Sequence, residues 1–121
     1  MRADEINTSI EIGDNCNVQD GVIIHALSNS RVVVLEETSL SHGCIVHGPC
    51  KIGRNCFIGF GAVIFNAELL DNVFIHHLAV VDKAKIGQGK FVPAKAIIDS
   101  AFKTKSLKPL SKSMQDFSMG V

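Results

Sequence analysis

Residues 44–64 read CIVHGPCKIGRNCFIGFGAVI. Aliphatic side chains stand six residues apart at Val46, Ile52, Ile58 and Ile64, and small ones keep the same beat at Cys44, Cys50, Cys56 and Ala62. A helix needs a period near 3.6, which this is not. Six residues fit one short strand and a tight turn. Three such units close a triangular coil, and coils stack through parallel strand pairing.

The beat extends in both directions. Upstream it passes through Ile6, Ile12, Val18 and Ile24, then Val34 and Leu40; downstream, one five-residue step leads to Leu69, Ile75 and Val81, and a second to Ile86, Val92 and Ile98. Every third unit falls into one of three columns. One holds Ile6, Ile24, Val46, Ile64, Val81 and Ile98; a second Ile12, Val34, Ile52, Leu69 and Ile86; a third Val18, Leu40, Ile58, Ile75 and Val92. The irregularities in length all fall between the first column and the second: extra residues around Ser28 to Val33, and one fewer near Asn66 and near Lys83. A prism absorbs length changes at one corner without disturbing its ladders. The expectation is an all-β parallel β-helix of about five coils over residues 1–98, followed by a tail over 99–121. That tail is basic at Lys103, Lys105, Lys108 and Lys112, and Leu110 to Met119 could form a short amphipathic helix with Leu110, Met114 and Phe117 on one face.

With 121 residues the chain is one domain. Twelve basic side chains balance twelve acidic ones, so no strong field points to nucleic acid or to an anionic membrane. No apolar run reaches transmembrane length and the first residues do not resemble a signal peptide, which leads to the expectation of a cytoplasmic protein. Mean hydropathy is positive, which in a small chain suggests apolar surface buried by self-association. Cys16, Cys44, Cys50 and Cys56 form no CxxC pair and occupy the small-residue slot of the hexad, where cysteine acts as a compact hydrophobe. Gly13, Gly53, Gly59 and Gly87 directly follow aliphatic positions and read as turn residues.

Three of the five histidines remain to be explained. His25 follows Ile24 and His47 follows Val46, so the two hold equivalent positions one coil apart. Strands in register lie about 4.8 Å apart, and two imidazoles at that spacing can reach one ion. His42 comes two residues after Leu40, on the preceding face. A neighbouring prism could bring its own His42 to the pair, and a cyclic trimer would then hold three equivalent three-histidine sites. A lone histidine is more often an ordinary surface residue; two in vertical register with a third nearby favour metal. Three histidines with an open fourth position are the zinc pattern that activates water at neutral pH. Zinc is the first expectation, with iron(II) or cobalt(II) also suited to imidazoles. Glu5, Gln19 and Asn17 are candidate polar neighbours. His76 and His77 lack the register and read as surface or interface residues.

The runs Asn17-Val18-Gln19-Asp20-Gly21-Val22-Ile23-Ile24-His25, Ser39-Leu40-Ser41-His42 and Val46-His47-Gly48-Pro49 closely resemble the gamma-class carbonic anhydrases, and Cys56 to Ala67 is especially like the carboxysomal CcmM branch. Arg2-Ala3-Asp4-Glu5 resembles that family's Arg-x-Asp-Glu segment. The resemblance implies a left-handed β-helix and a homotrimer with a metal at each subunit interface, His25 and His47 from one chain and His42 from the next. It implies reversible hydration of carbon dioxide to bicarbonate, with Glu5 and Gln19 as catalytic residues bonding the reacting oxygen species. It places Arg2, Asp4 and Asp20 in charged contacts between subunits. One departure bears on activity: Ser28 and a short loop stand where archaeal members carry an acidic, proton-shuttling loop. That favours an alternative, a metal-binding but catalytically idle trimer acting as a scaffold or assembly subunit. A hexapeptide acyltransferase shares the fold, but nothing here resembles a coenzyme A site.

Overall fold

A computed structural model describes residues 1–3, 6–105 and 107–109. The chain runs through five coils of three strands. They are β1 (Ser9–Ile12), β2 (Asn17–Val18) and β3 (Ile23–His25); β4 (Arg31–Val34), β5 (Ser39–Leu40) and β6 (Ile45–His47); β7 (Cys50–Ile52), β8 (Phe57–Ile58) and β9 (Val63–Phe65); β10 (Glu68–Leu69), β11 (Phe74–Ile75) and β12 (Val80–Asp82); β13 (Lys85–Ile86), β14 (Lys90–Val92) and β15 (Ile97–Ile98). A five-residue helix, α1 (Ala101–Lys105), and a final strand, β16 (Lys108–Pro109), follow.

Each strand pairs with its counterparts one coil away. The first sheet is β1-β4-β7-β10-β13, the second β2-β5-β8-β11-β14, the third β3-β6-β9-β12-β15. All of these pairings are parallel; β16 adds to the second sheet antiparallel to β14. The registers are those of the three aliphatic columns: Ile12 to Val34, Val34 to Ile52, Leu40 to Ile58, Ile24 to Val46 and Val46 to Ile64 lie opposite one another. Ile24, Val46, Ile64 and Val81, like Ile52, Ile58 and Ile75, have no exposed surface. Each such side chain contributes about 1.5–3 kcal/mol by leaving water. Cys44, Cys56, Ala62 and Ala79 fill the small slot, and Thr38, buried there too, donates its hydroxyl to the Gly53 carbonyl (2.8 Å) and accepts from the Cys56 amide (3.0 Å).

Two expectations are corrected. Ile6 does not top the first column: it is 76% exposed, and Arg2 takes the rung above His25. The Arg2 amide donates to the Ile24 carbonyl (2.7 Å), and the Asn29 amide donates to the Ile6 carbonyl (2.8 Å). The long corner at Ala26 to Ser30 is thus matched by residues above it, and the six-residue step from Ile6 to Ile12 is a coincidence of spacing. The glycines also have a different purpose. Left-handed turn conformations fall on Gly21, Gly43, Gly61 and Gly89 and on asparagines such as Asn15, Asn55 and Asn72. Gly13, Gly53 and Gly59 are needed because a Cβ there would meet the next coil's atoms at 2.6–2.7 Å.

At the lower end Leu107 packs against the core. The segment expected to be helical over Leu110 to Met119 lies outside the described residues, apart from which the tail shows α1 and β16. No described helix is long and apolar enough to cross a membrane.

Candidate metal centre

His25 and His47 lie directly opposite in the β3–β6 pairing. Both side chains leave the outer surface of the third sheet, because each follows an inward aliphatic residue. His25 Nδ1 and His47 Nε2 are 3.1 Å apart, with ring centroids 4.8 Å apart and planes at 87°. Beneath them in the same column comes Phe65, whose ring centroid is 4.9 Å from that of His47. The pair therefore rests on an apolar floor.

His47 Nδ1 lies 3.1 Å from the Gly48 carbonyl, which only an N–H can satisfy. With its proton committed there, Nε2 carries a free lone pair facing His25. That lone pair accepts the His25 Nδ1–H. Neighbouring nitrogens on a tetrahedral ion with bonds of about 2.0–2.1 Å lie roughly 3.3–3.4 Å apart, close to the observed separation, so the pair fits a metal. Gly48 is fixed by crowding, since a Cβ would approach Ser30 Oγ at 2.9 Å. Its amide donates to the His25 carbonyl (2.7 Å), tying the two ligand strands together.

His42 stands elsewhere, exposed at the corner between the second and third sheets. Among the described residues no three His, Cys, Asp or Glu side chains gather to hold a metal. Gln19 and Asn17, both half-buried, follow and begin β2 on the outer side of the second sheet, close in sequence to the corner rather than to the pair. Asp20 is exposed at that corner, and Gly43 donates its amide to the Asp20 carbonyl (3.0 Å). Arg2 lies over His25. Asp4 and Glu5 lie outside the described residues. Glu36 is occupied by an ion pair to Arg54 at another corner.

The cysteines supply no ligand. Burial pushes the thiols of Cys44 and Cys50 up to about 12 and that of Cys56 up to about 11. An open groove of about 740 Å³ runs along the corner between the third and first sheets, past Asn29, Arg31, Lys51, Glu68 and Lys83; none of the three histidines lines it.

Sequence reading missed the supporting contacts. Corner residues also form a ladder: Gly61 donates to the His42 carbonyl (3.1 Å), Leu78 to that of Phe60 (2.9 Å) and Lys95 to that of His77 (3.1 Å). On it, the His42 and Phe60 ring centroids are 5.7 Å apart, and Phe60 stacks on His77 at 4.2 Å with planes 9° apart. The Phe60 amide donates to His77 Nδ1 (2.8 Å). Burial, and then neighbouring His76, hold the His77 imidazole below its usual range. The five-residue steps in the sequence hid this stacking.

Comparison with known proteins gives a consistent picture. The family model described as bacterial transferase hexapeptide (six repeats) matches residues 31–66. The carboxysome assembly protein CcmM of Nostoc sp. is 36% identical over 97% of the chain, and that of Synechocystis sp. 35% identical over 88%. The carbonic anhydrase of Methanosarcina thermophila is 29% identical over 83% of the chain. The chain spans 23% and 17% of those two CcmM proteins and 48% of the carbonic anhydrase. A crystal structure of a hexapeptide transferase family protein from Anaplasma phagocytophilum superposes with a TM-score of 0.73 at 17% identity, covering 95% of this chain and 68% of the other, and so shares the fold.

Proposed function

Because the chain belongs to the hexapeptide-repeat family, as a relative of CcmM and of the gamma-class carbonic anhydrases, we propose that it hydrates carbon dioxide reversibly to bicarbonate. The site is shared in a homotrimer: His25 and His47 from one protomer, His42 from the next. The observation that carries this reading is the register pair itself, with His47 Nε2 set 3.1 Å from His25 Nδ1 and its other nitrogen committed to Gly48.

Bound there, zinc would supply Lewis-acid activation of water at neutral pH; iron(II) or cobalt(II) would fit the same imidazoles. The chain's own groups do the rest. The Gly48 carbonyl fixes the His47 tautomer and ring angle. His25 would offer its Nδ1 lone pair to the ion as the other neutral tautomer, with its proton on Nε2. Phe65 limits water beneath the pair. Gln19, arriving beside the neighbour's His42, donates its amide N–H to an oxygen of the product; Glu5 accepts a hydrogen bond from the hydroxyl of bicarbonate. Asn17 steadies Gln19. Arg2, Asp4 and Asp20 hold the subunits in charge register.

A second reading is a metal-binding trimer without useful turnover, serving in assembly. It is favoured by the stronger likeness to proteins named for carboxysome assembly and by Ser28, a poor proton carrier, in the loop after His25.

Complementation tests the shared site. His42→Ala and His47→Ala are made separately, expected to be metal-poor and inactive, then refolded together. A site revives wherever a His42→Ala chain supplies the pair and a His47→Ala chain supplies the third ligand, about a quarter of sites in a random mixture. Recovered zinc with recovered hydration supports the enzyme; recovered zinc without hydration, in the parent protein too, supports the scaffold. A parent chain that binds no metal sinks both.

A further inference from the structure

Asp82 ends β12 on the outer side of the third sheet, in the column Arg2, His25, His47, Phe65, Asp82. Its Oδ1 is buried and has no hydrogen-bond partner among the described residues. A buried carboxylate oxygen without a donor is costly, commonly about 1–3 kcal/mol or more. At the adjoining corner His77 has the opposite problem. Its Nδ1 accepts the Phe60 amide (2.8 Å), so its proton sits on Nε2.

The regularity of the solenoid relates these two groups. The corner ladder runs Asp20, His42, Phe60, His77, one rung per coil. The sheet column runs His25, His47, Phe65, Asp82, again one rung per coil. Thus His77 lies two rungs below His42, and Asp82 lies two rungs below His47. A threefold axis parallel to the direction in which the coils stack preserves height. If a neighbour's corner brings His42 to the His25–His47 pair, the same rotation brings its His77 to Phe65 and Asp82.

We propose that Asp82 turns its carboxylate outward at the seam, where the residue is half-buried, and accepts a hydrogen bond from Nε2–H of the neighbouring protomer's His77, forming a second, metal-free lock along the same seam. The proposal rests on the shared-site reading above and extends it to the lower half of the interface. Every rung then meets a suitable counterpart. Asp20 faces Arg2 and His25, an acid against a base; His42 faces the two imidazoles. Phe60, 47% exposed, faces His47 and Phe65; His77 faces Phe65 and the carboxylate. Beside this column the outward residues of the third sheet are Ile23, Ile45, Val63, Val80 and Ile97, an apolar strip that a second copy of the chain would cover.

A double-substitution cycle with Asp82→Asn and His77→Phe tests it, read by sedimentation over a concentration series on the full chain. His77→Phe keeps the stacking on Phe60 and loses the donor. Each single change should raise the concentration at which the trimer half-dissociates on the order of tenfold, and the double change no further than either alone. Additive or silent single changes would overturn the pairing, as would coupling of Asp82 to Lys95 in a parallel cycle. Should either variant fold poorly, His77→Cys with Asp82→Cys gives a separate readout. Mild oxidation should yield covalently linked trimers in denaturing gels, and monomers only would count against it. The two readings fail separately. A chain that stays monomeric, or keeps its zinc after His42→Ala, defeats the shared site. A zinc-binding trimer lacking the coupling defeats only the His77–Asp82 lock.

Discussion

The first and third sheets have the same backbone and opposite exteriors. Inward, both present fully buried aliphatic columns, Val34 and Ile52 on one side, Ile24, Val46 and Ile64 on the other. Outward, the first sheet stacks Glu11, Val33, Lys51, Glu68 and Lys85. Ion pairs link Arg31 to Glu11 (2.9 Å) and Lys85 to Glu68 (3.9 Å). The third sheet's exterior instead carries the strip from Ile23 to Ile97 and the column with both histidines. In this repeat the inward position is bound by packing, while the outward one is free to vary. The charged exterior suits water, while the apolar strip suits a covering partner.

The sharpest way to break that contrast is to charge both faces alike. Val63→Lys places an ammonium in the middle of the third sheet's strip, where Val63 is already half-buried within one chain. It should abolish the trimer in sedimentation and, with it, at least nine-tenths of the bound zinc. Val33→Lys, at the matching outward position of the first sheet, should leave both unchanged. If the two substitutions behave alike, the third sheet is not an interface.

The interiors should show no such asymmetry. Ile52→Ala and Ile64→Ala each remove a fully buried side chain, and each should cost about 2–5 kcal/mol in denaturant unfolding. The two costs should agree to within about 1 kcal/mol at one protein concentration. A much larger loss for one would mean that the coils are not equivalent building blocks.

That equivalence is why so much of the fold could be read from the sequence. A six-residue beat has one cheap explanation, and the displaced beats fall at one corner, so the registers follow. The failure at Ile6 is instructive, because one aliphatic residue at the right spacing carries no information about which rung it occupies. Backbone pairing through Arg2 decides that. The glycine error has a similar root: a missing Cβ can serve a turn or a close approach, and Gly53 and Gly59 answer to the coil below, invisible in local sequence. Of the site, the His25–His47 pair was legible because both follow a core residue of one column. The Gly48 carbonyl, the Phe65 floor and the Phe60–His77 stack were not. Each depends on contacts between rungs seventeen or so residues apart or on which nitrogen holds a proton.

Cysteine chemistry gives a smaller effect with a definite sign. The folded values of about 12 for Cys44 and Cys50 and about 11 for Cys56 lie above the ordinary thiol value. Burial therefore favours the neutral thiol, and the native state binds more protons than the unfolded one once pH passes about 9. The stabilisation is fully present below pH 9 and is lost as pH rises towards 11–12, on the order of 1 kcal/mol per thiol for each pH unit in that window. At pH 8 a thiolate-selective reagent should modify at most Cys16, the half-buried one, and all four in guanidinium. Rapid native labelling of three or four thiols would mean that the inward columns open readily.

The smallest effect belongs to the face with the most charges. Lys85 and Glu68 sit one rung apart at 3.9 Å, with side chains 64% and 41% exposed. Water and salt screen such a pair, and ordering two long side chains offsets much of the attraction. Lys85→Gln should shift unfolding by no more than about 0.5 kcal/mol and leave the trimer and its zinc untouched. The shift should vanish in 1 M salt, where charges this far apart are screened. A loss of 2 kcal/mol, or any loss of trimer, would show that the first sheet is also covered by a partner, and the division of labour between the two faces would have to be redrawn.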